Sequence, residues 1–373
     1  MGRELFTIYL ADLRYFTAGT SFPLSIGYLA AYIGKVLPQA CDVRLFIDPE
    51  KLVEAIREAP PDLLGFANYS WNRNINTQIT AFAKSVEPQI ITVMGGPCFA
   101  RGDQEWMDGF FERNQNLDFY LAGPGEIAFA EMVRLSLEAE DSRQEAIRSG
   151  AFPGLFFKDG DTVLEGECVV PSLIERRKTL DEIPSPYLLG LFDEFFTYEN
   201  LGPMIETVRG CPYACTFCCW GSRMLGKVSM FSLDRVKAEL DYVAERAVNC
   251  RRLFFGDANF GIIERDVEVA EHLLSIRQRR GWPDNVFLYF AKNSGDRVIQ
   301  IASLLKDMTA VSMARQSMTE LVLANTKRAN LDDESYARIQ EELGANNVDS
   351  LVEFIYPLPG ETRASFIDGR RCA

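Results

Sequence analysis

Along residues 5–135, apolar strand-like runs alternate with amphipathic helical runs, and this alternation most narrows what the chain can fold into. The strands read as Leu5–Ala11, Asp42–Phe46, Asp62–Ala67, Gln89–Met94 and Leu117–Leu121. Helical spacing falls between them, at Pro23–Val36, Pro49–Ala59 and Asn74–Val86 among others. Strands that are apolar along their whole length are buried on both faces, which predicts a parallel sheet covered by helices on each side. A doubly wound, Rossmann-like α/β sheet of this kind collects ligands at the carboxyl ends of its strands. The loops expected there are Asp12-Leu13, Tyr69-Ser70-Trp71-Asn72, Gly95-Gly96-Pro97 and Gly123-Pro124-Gly125-Glu126. Two of them are rich in glycine and allow a ligand to approach the backbone closely. A plainer reading stands beside this one, with Gly95-Gly96-Pro97 as a tight strand exit and Trp71 as a cover over the sheet end.

Beyond residue 150 the pattern changes. Asp159-Gly160 between the runs 154–158 and 162–170 predicts a hairpin. The stretch Leu180 to Tyr187 carries Pro184 and Pro186, which disfavour helix and suit an extended linker. From residue 201 alternation resumes, with strands at Met204–Val208, Arg252–Phe255, Val286–Phe290, Ala310–Met313 and Ser350–Tyr356. Helices are expected at Ser232–Ala247, Arg265–Arg280, Arg297–Met308 and Glu334–Leu343. Repeated units of strand then helix predict a parallel barrel or partial barrel, with chemistry at the C-terminal ends of its strands. The expected layout is therefore a sheet domain at 1–150, hairpin and linker at 151–200, and a barrel at 201–373.

Directly after the first barrel strand and the turn Arg209-Gly210 stand Cys211, Cys215 and Cys218, spaced C-x3-C-x2-C. Three thiols from one short loop can point at one centre, and they suit a cubane iron–sulfur cluster whose fourth iron is open to another ligand. A structural zinc site usually takes four protein ligands, as Cys pairs or as Cys with His. The chain has one histidine, His272, on a predicted helix far from the triplet, where it reads as a surface residue. Cys219 adjoins Cys218, and both are poorly placed to reach one metal. Nine cysteines in 373 residues with no secretory pattern at the start read as reduced, cytoplasmic thiols, which disfavours a disulfide framework. Zinc and plain buried thiols are the remaining alternatives.

A hydrophobic fraction of 47% is ample for packed cores in a chain of this length. The formal net charge of −14 argues against broad contact with nucleic acid, which needs basic surface. With no long apolar run and no basic amphipathic segment, membrane spanning is not expected either.

The triplet, with Phe217 ahead of its last cysteine, resembles the signature of the radical S-adenosylmethionine (SAM) family. The stretch before it resembles the N-terminal cobalamin-binding domain of the B12-dependent radical SAM enzymes. The matching pieces are Ser21-Phe22-Pro23-Leu24, Pro61 to Phe66 with Tyr69 to Asn72, Gly95-Gly96-Pro97, and Asp118-Phe119-Tyr120 leading to Gly125-Glu126. Two departures stand out. Mutase-type cobalamin domains ligate cobalt through the His of D-x-H-x-x-G, and residues 1–150 contain no His. Pro124 stands where relatives commonly have Glu.

The resemblance implies a [4Fe–4S] cluster on Cys211, Cys215 and Cys218, with SAM chelated at its open iron. It implies SAM contacts from Phe217, from Gly256 and Asp257 after the second strand, from Arg315 and Gln316 after the fourth, and from Pro359 in the turn after the fifth. Asp257 would accept from the SAM amino group, and Arg315 would pair with a carboxylate. Cobalamin would meet Pro23, Tyr69, Ser70, Trp71, Asn72, Gly95, Gly96, Pro97, Gly123, Gly125 and Glu126. Asp257 also reads as a solvated strand-end residue, and Arg315 as a surface one. The family core is a partial (β/α)6 barrel of TIM type, of which five strands are counted before Ala373. The sixth unit and a C-terminal substrate domain are thus expected to be missing, as in a truncated chain.

The function implied is a cobalamin-dependent radical SAM methyltransferase acting on an unactivated carbon of a small-molecule or peptide substrate. It would be served by an external electron donor of flavodoxin or ferredoxin type. Cyclisation, rearrangement or oxidation by a radical SAM enzyme with or without B12 is the first alternative. An inactive, truncated metal-binding scaffold is the second. A methylthiotransferase is disfavoured, because a second cluster needs further N-terminal cysteines and only Cys41 and Cys98 are there.

Overall fold

The structure is a computed structural model, and it describes residues 5–14, 20–139, 141–170, 180–221, 227–291 and 295–371. It divides into two compact units, Met1–Lys178 with Glu182–Phe192, and Thr179–Asp181 with Asp193–Ala373.

The first unit is built on a seven-stranded sheet. Its strands are β1 (Phe6–Ala11), β2 (Cys41–Phe46), β3 (Leu63–Ala67), β4 (Ile91–Gly95), β5 (Phe119–Leu121), β6 (Leu155–Asp159) and β7 (Thr162–Glu165). They lie in the order β2-β1-β3-β4-β5-β6-β7. The first five run parallel, with Ile8 opposite Val43 on one side and Leu63 on the other. Helices α1 (Leu24–Val36), α2 (Pro49–Glu58), α3 (Arg73–Val86), α4 (Gln104–Arg113), α5 (Gly125–Glu138) and α6 (Arg143–Ser149) cover it.

Side-chain alternation along β1 assigns the faces. Ile8 and Leu10 pack with Ile26 and Ile33 of α1, Phe129 and Val133 of α5 and Ile147 of α6. Tyr9 and Ala11 face the other way, toward Leu52 and Ile56 of α2, Ile79 of α3 and Phe110 of α4. Both faces are thus buried, which is why these strands read as unbroken apolar runs. The hairpin of β6 and β7 is no separate piece, because β6 pairs antiparallel with β5 and closes that edge of the sheet. Asp108 on α4 accepts from Val163 N at 2.7 Å and ties the hairpin down.

The second unit holds parallel strands in two groups. β8 (Met204–Ile205), β11 (Arg252–Phe255) and β12 (Asn285–Phe287) form one sheet, and β13 (Val311–Ser312) pairs with β14 (Ser350–Leu351). Val286 N donates to Met308 O at 2.7 Å between the groups. Each of β11, β12 and β13 is followed by helix: α8 (Asp266–Arg280), α9 (Gly295–Leu304) and, after the short α10 (Glu320–Asn325), α11 (Asp333–Ala345). Helix α7 (Leu233–Arg246) precedes β11, and α12 (Arg363–Arg371) follows β14. Ser232 caps α7, Asp332 caps α11, and Gly281 ends α8 in the left-handed conformation at φ 65°. The strand-then-helix order holds, but among the described residues no single barrel sheet is closed.

Strand 204–208 is shorter than expected. Thr207 N and Val208 N donate to Asp257 Oδ1 at 2.8 and 2.6 Å, so the carboxyl replaces the neighbouring strand as their partner. Val208–Arg209 becomes a separate strand, β9, which pairs antiparallel with β10 (Ser229–Met230). No helix among the described residues is long and apolar enough to cross a membrane.

Candidate functional site

The chain leaves β9 through Gly210, at φ 103°, and enters the cysteine loop. Cys211 and Cys215 are buried and Cys218 is half-buried. Cys218 N donates to Cys215 O at 3.2 Å, and Thr216 N donates to Thr326 O at 3.0 Å. The loop is therefore pinned to the turn that follows α10. Cys211 and Cys218 border a cavity of about 370 Å³, within the size range of small-molecule sites. Its wall also includes Trp220, Asn259, Tyr289, Arg315, Gln316 and Arg328.

The two arginines lie almost entirely within the protein. Arg315 pairs with Asp333 and sits 4.3 Å from the centre of the Tyr336 ring, while its Nε has no partner. Arg328 Nε donates to Asn330 Oδ1 at 3.1 Å and its Nη2 to Ala314 O, while Nη1 has no partner. Gln316 adopts φ 62°, held by Gln316 N on Glu353 O and by its own carbonyl on Ile355 N. Its Oε1 is buried without a partner. A pair of guanidinium groups and a free amide oxygen beside aromatic walls suit a ligand that carries a carboxylate and a flat ring.

The remaining SAM positions lie elsewhere. Asp257 is fully buried, and besides the two amides it accepts from Thr207 Oγ1 at 2.9 Å. Burial pushes its carboxyl up to about 8, against the pull of the Val208 and Thr207 donors. It fastens the start of the cysteine loop, and from its turn it is Ala258 and Asn259 that reach the cavity wall. Gly256 N donates to Ile205 O at 2.8 Å and continues the strand ladder. Pro359 O accepts from Asn325 Nδ2 at 3.0 Å, and Phe217 is half-buried. Neither Phe217, Gly256 nor Pro359 lines the cavity.

Two residues that the motifs did not single out stand next to the thiols. Asn259 Nδ2 donates to Cys211 Sγ at 3.2 Å, both groups being buried. Arg328 faces Cys215 and Cys218, and burial, only partly offset by attraction to those sulfurs, draws its guanidinium below its usual range. Among the described residues no three Cys, His, Asp or Glu side chains are gathered as a metal-ligand set. The donor chemistry nonetheless fits a cluster: three soft thiols on one loop, no imidazole, and N–H donors beside the sulfurs. A ligand loop of this kind completes its geometry when metal binds.

In the first unit, the strand order reverses between β1 and β3, which is the switch point where such sheets bind ligands. Asp12 follows β1 there and Asn68 to Asn72 follow β3. Asn72 Nδ2 donates to Ala67 O at 3.0 Å and reaches Asp12 Oδ1 at 3.5 Å, and its Oδ1 accepts from Tyr69 N at 2.8 Å. Asn76 Nδ2 adds a bond to Ala67 O at 3.1 Å. Burial raises the Asp12 carboxyl, while Arg14, 2.6 Å away, lowers it.

This buried polar knot holds out a stacked pair, Tyr69 and Trp71, with ring centres 4.5 Å apart and planes at 6°. Trp71 is 57% exposed and Ser70 is exposed beside it. Gly96, at φ 132°, lies so close to the β3 loop that a Cβ would come within 2.7 Å of Asn68 O. Gly95 O accepts from Asn68 N at 2.6 Å, Gly96 O accepts from Tyr120 Oη at 2.9 Å, and Pro97 is exposed. Gly123 is exposed, Gly125 and Glu126 open α5, and Pro23 stands at the start of α1. All the proposed cobalamin positions except Pro23 therefore lie at or after the carboxyl ends of β3, β4 and β5.

Comparison with known proteins places this arrangement. Residues 17–133 match the B12 binding domain family and residues 205–371 the radical SAM superfamily. The chain thus carries in succession the B12-binding and radical SAM domains whose combination marks the cobalamin-dependent radical SAM enzymes, a class that uses a [4Fe–4S] cluster, SAM and cobalamin. It is 32% identical to the cobalamin-dependent radical SAM methyltransferase TokK of Streptomyces tokunonensis, over 99% of this chain and 52% of that protein. Identity and coverage are the same against the 2-(S-pantetheinyl)-carbapenam-3-carboxylate methyltransferase of Streptantibioticus cattleyicolor. The chain thus spans about half the length of the curated relatives it matches. In fold it resembles the radical SAM methyltransferase TsrM from Kitasatospora setae, with a TM-score of 0.71, 16% identity, and 98% of this chain and 71% of that one covered. The cobalamin-dependent SAM radical enzyme OxsB gives a TM-score of 0.67 at 18% identity, with 98% of this chain and 51% of that one covered.

Proposed function

We propose that this protein is a cobalamin-dependent radical SAM methyltransferase that methylates an unactivated carbon of a small-molecule substrate. The observation that carries the reading is the cavity of about 370 Å³ bordered at once by two cysteines of the C-x3-C-x2-C loop and by Arg315, Gln316 and Arg328. The two curated methyltransferases that align along nearly the whole chain support it. When bound, the cluster supplies the electron that splits SAM, and cobalamin carries the methyl group that is transferred.

The protein's part is to hold and to exclude. Cys211, Cys215 and Cys218 would ligate the cluster. Arg315 and Gln316 would orient SAM, the guanidinium on its carboxylate and the free Oε1 on a donor group. Phe217, Gly256, Asp257 and Pro359 would serve from just outside the cavity wall, Asp257 by fixing the loop. Trp220 and Tyr289 would keep water from the reacting centre. In the first unit, Tyr69, Ser70, Trp71 and Asn72 would meet cobalamin, together with Gly95, Gly96, Pro97, Gly123, Gly125, Glu126 and Pro23. Residues 1–150 contain no histidine, so the first unit would hold cobalamin without an imidazole of its own.

We read β8, β11, β12, β13 and β14 as strands of a partial (β/α)6 barrel, supported by their parallel pairing and strand-then-helix order. We keep within this proposal the layout of a cobalamin-binding sheet domain followed by a barrel, with the hairpin joined to the first sheet. All eight described cysteines are free thiols, which fits a reducing cytoplasm and a one-electron donor of flavodoxin or ferredoxin type. A second reading, a radical reaction with another outcome, is favoured only by the fold shared with OxsB.

The test is anaerobic reconstitution with iron, sulfide and cobalamin, followed by SAM labelled in its methyl group and candidate substrates. Reductive SAM cleavage with label in the product supports the methyltransferase. Cleavage without label transfer selects the second reading. Protein that holds zinc, or iron whose spectrum does not respond to SAM, overturns both.

A further inference from the structure

We propose that Asn259 and Arg328 are positioning residues that raise the reduction potential of the cluster held by Cys211, Cys215 and Cys218. The inference rests on the cluster reading above and deepens it. Reduction moves one electron from an external one-electron donor to the cluster, with no bond made or broken and no proton transferred. It adds one negative charge to a buried group, so any fixed positive charge or N–H donor beside the sulfurs favours the reduced state.

Asn259 supplies one such donor, with Nδ2 3.2 Å from Cys211 Sγ. Thiolate is a better acceptor than thiol, so the same contact strengthens once Cys211 is a ligand. The amide is brought there by the backbone that follows Asp257, whose carboxyl is fixed by Thr207 and Val208 immediately before the cysteine loop. Strand exit, carboxyl and amide are joined by these hydrogen bonds.

Arg328 supplies the charge. It is 6% exposed and faces Cys215 and Cys218. Its mount is stiff: Arg328 N donates to Leu323 O at 2.9 Å, Nη2 to Ala314 O and Nε to Asn330 Oδ1, and Asn330 Nδ2 donates in turn to Ser317 O at 2.8 Å. Thr326, two residues earlier, accepts from Thr216 N inside the cysteine loop. The carboxylate that neutralises Arg315 is Asp333, whereas among the described residues no carboxylate pairs with Arg328. Nη1 of this buried guanidinium has no hydrogen-bond partner among the described residues, which is costly unless an anion completes it, and Cys215 and Cys218 are the thiols it faces.

The experiment is a redox titration of the reconstituted, SAM-free protein, followed by the paramagnetic signal of the reduced cluster. The proteins compared are wild type, Asn259→Leu, Arg328→Gln and Arg328→Lys. Asn259→Leu and Arg328→Gln are expected to lower the ratio of reduced to oxidised cluster about tenfold at a fixed potential, equivalent to about 59 mV for a one-electron couple. Arg328→Lys keeps the charge and is expected to recover most of that loss. Ratios within twofold of wild type in Asn259→Leu and Arg328→Gln overturn the proposal and leave the cluster reading intact. A normal ratio in Arg328→Gln combined with weakened SAM binding also overturns it, by assigning that side chain to the ligand. Should Arg328→Gln fail to fold, Asn259→Leu and Arg328→Lys decide alone, and an unshifted Asn259→Leu overturns the proposal. A wild type that takes up no iron defeats the cluster reading itself, and this inference with it.

Discussion

Asp257 Oδ1 lies 2.8 Å from Thr207 N, and its Oδ2 lies 2.9 Å from Thr207 Oγ1, in a buried setting. The carboxyl therefore acts as a clasp between the ends of β8 and β11. Its ordinary value of 3.8 is pushed up to about 8, chiefly by burial. The folded protein holds that proton more tightly than the unfolded chain does. The stability it contributes is thus full below about pH 4 and is lost as pH rises through about 8. Urea unfolding of wild type should show stability falling over that window, with a shallower fall in Asp257→Asn, which imitates the neutral acid. Asp257→Ala strands two buried amides and should cost about 3 kcal/mol or more at every pH.

Arg315→Lys keeps a charge but loses the planar fork and the stacking on Tyr336. SAM binding measured by calorimetry on the reconstituted protein should weaken about tenfold, with thermal stability changed far less. Equal affinity in the variant would remove Arg315 from the SAM site.

Gly96→Ala would force a Cβ to within 2.7 Å of Asn68 O at a backbone φ of 132°. The expected loss is about 2–4 kcal/mol, read as a lower urea midpoint with an unchanged slope. Cobalamin retention should fall as well, because the β3 and β4 loops would be pushed apart.

Trp71→Ala removes an exposed ring that touches Tyr69. Stability should move by no more than about 1 kcal/mol, while cobalamin recovered after gel filtration should drop severalfold. A large stability loss with normal cobalamin retention would make Trp71 a structural cover.

The doubly wound sheet was legible because both of its faces are buried, and burial on both faces writes itself as unbroken apolar strands. The hairpin was legible through Asp159-Gly160, but nothing in a turn names the strand its neighbour will pair with, so its place beside β5 was not. In the second unit the strands were read too long. The run 204–208 is apolar throughout, and only the distant Asp257 shows that its ladder stops after Ile205. Cys211, Cys215 and Cys218 stand in one short stretch and can be recognised by spacing. Arg328 is more than a hundred residues further on in no motif, and it comes near Cys215 through tertiary contacts such as Thr216 N on Thr326 O. Asn259 carried a faint signal, as the amide two positions past a strand-end carboxylate.

The guanidinium of Arg328 keeps its proton through the whole range in which cells live. The influence it exerts on Cys215 is accordingly a constant of the molecule, deaf to acidity. The clasp at Asp257 is the opposite, a latch that picks up charge as the medium turns alkaline. Any decline of this protein on the alkaline side should therefore come from a loosening frame and not from altered electronics at the sulfurs.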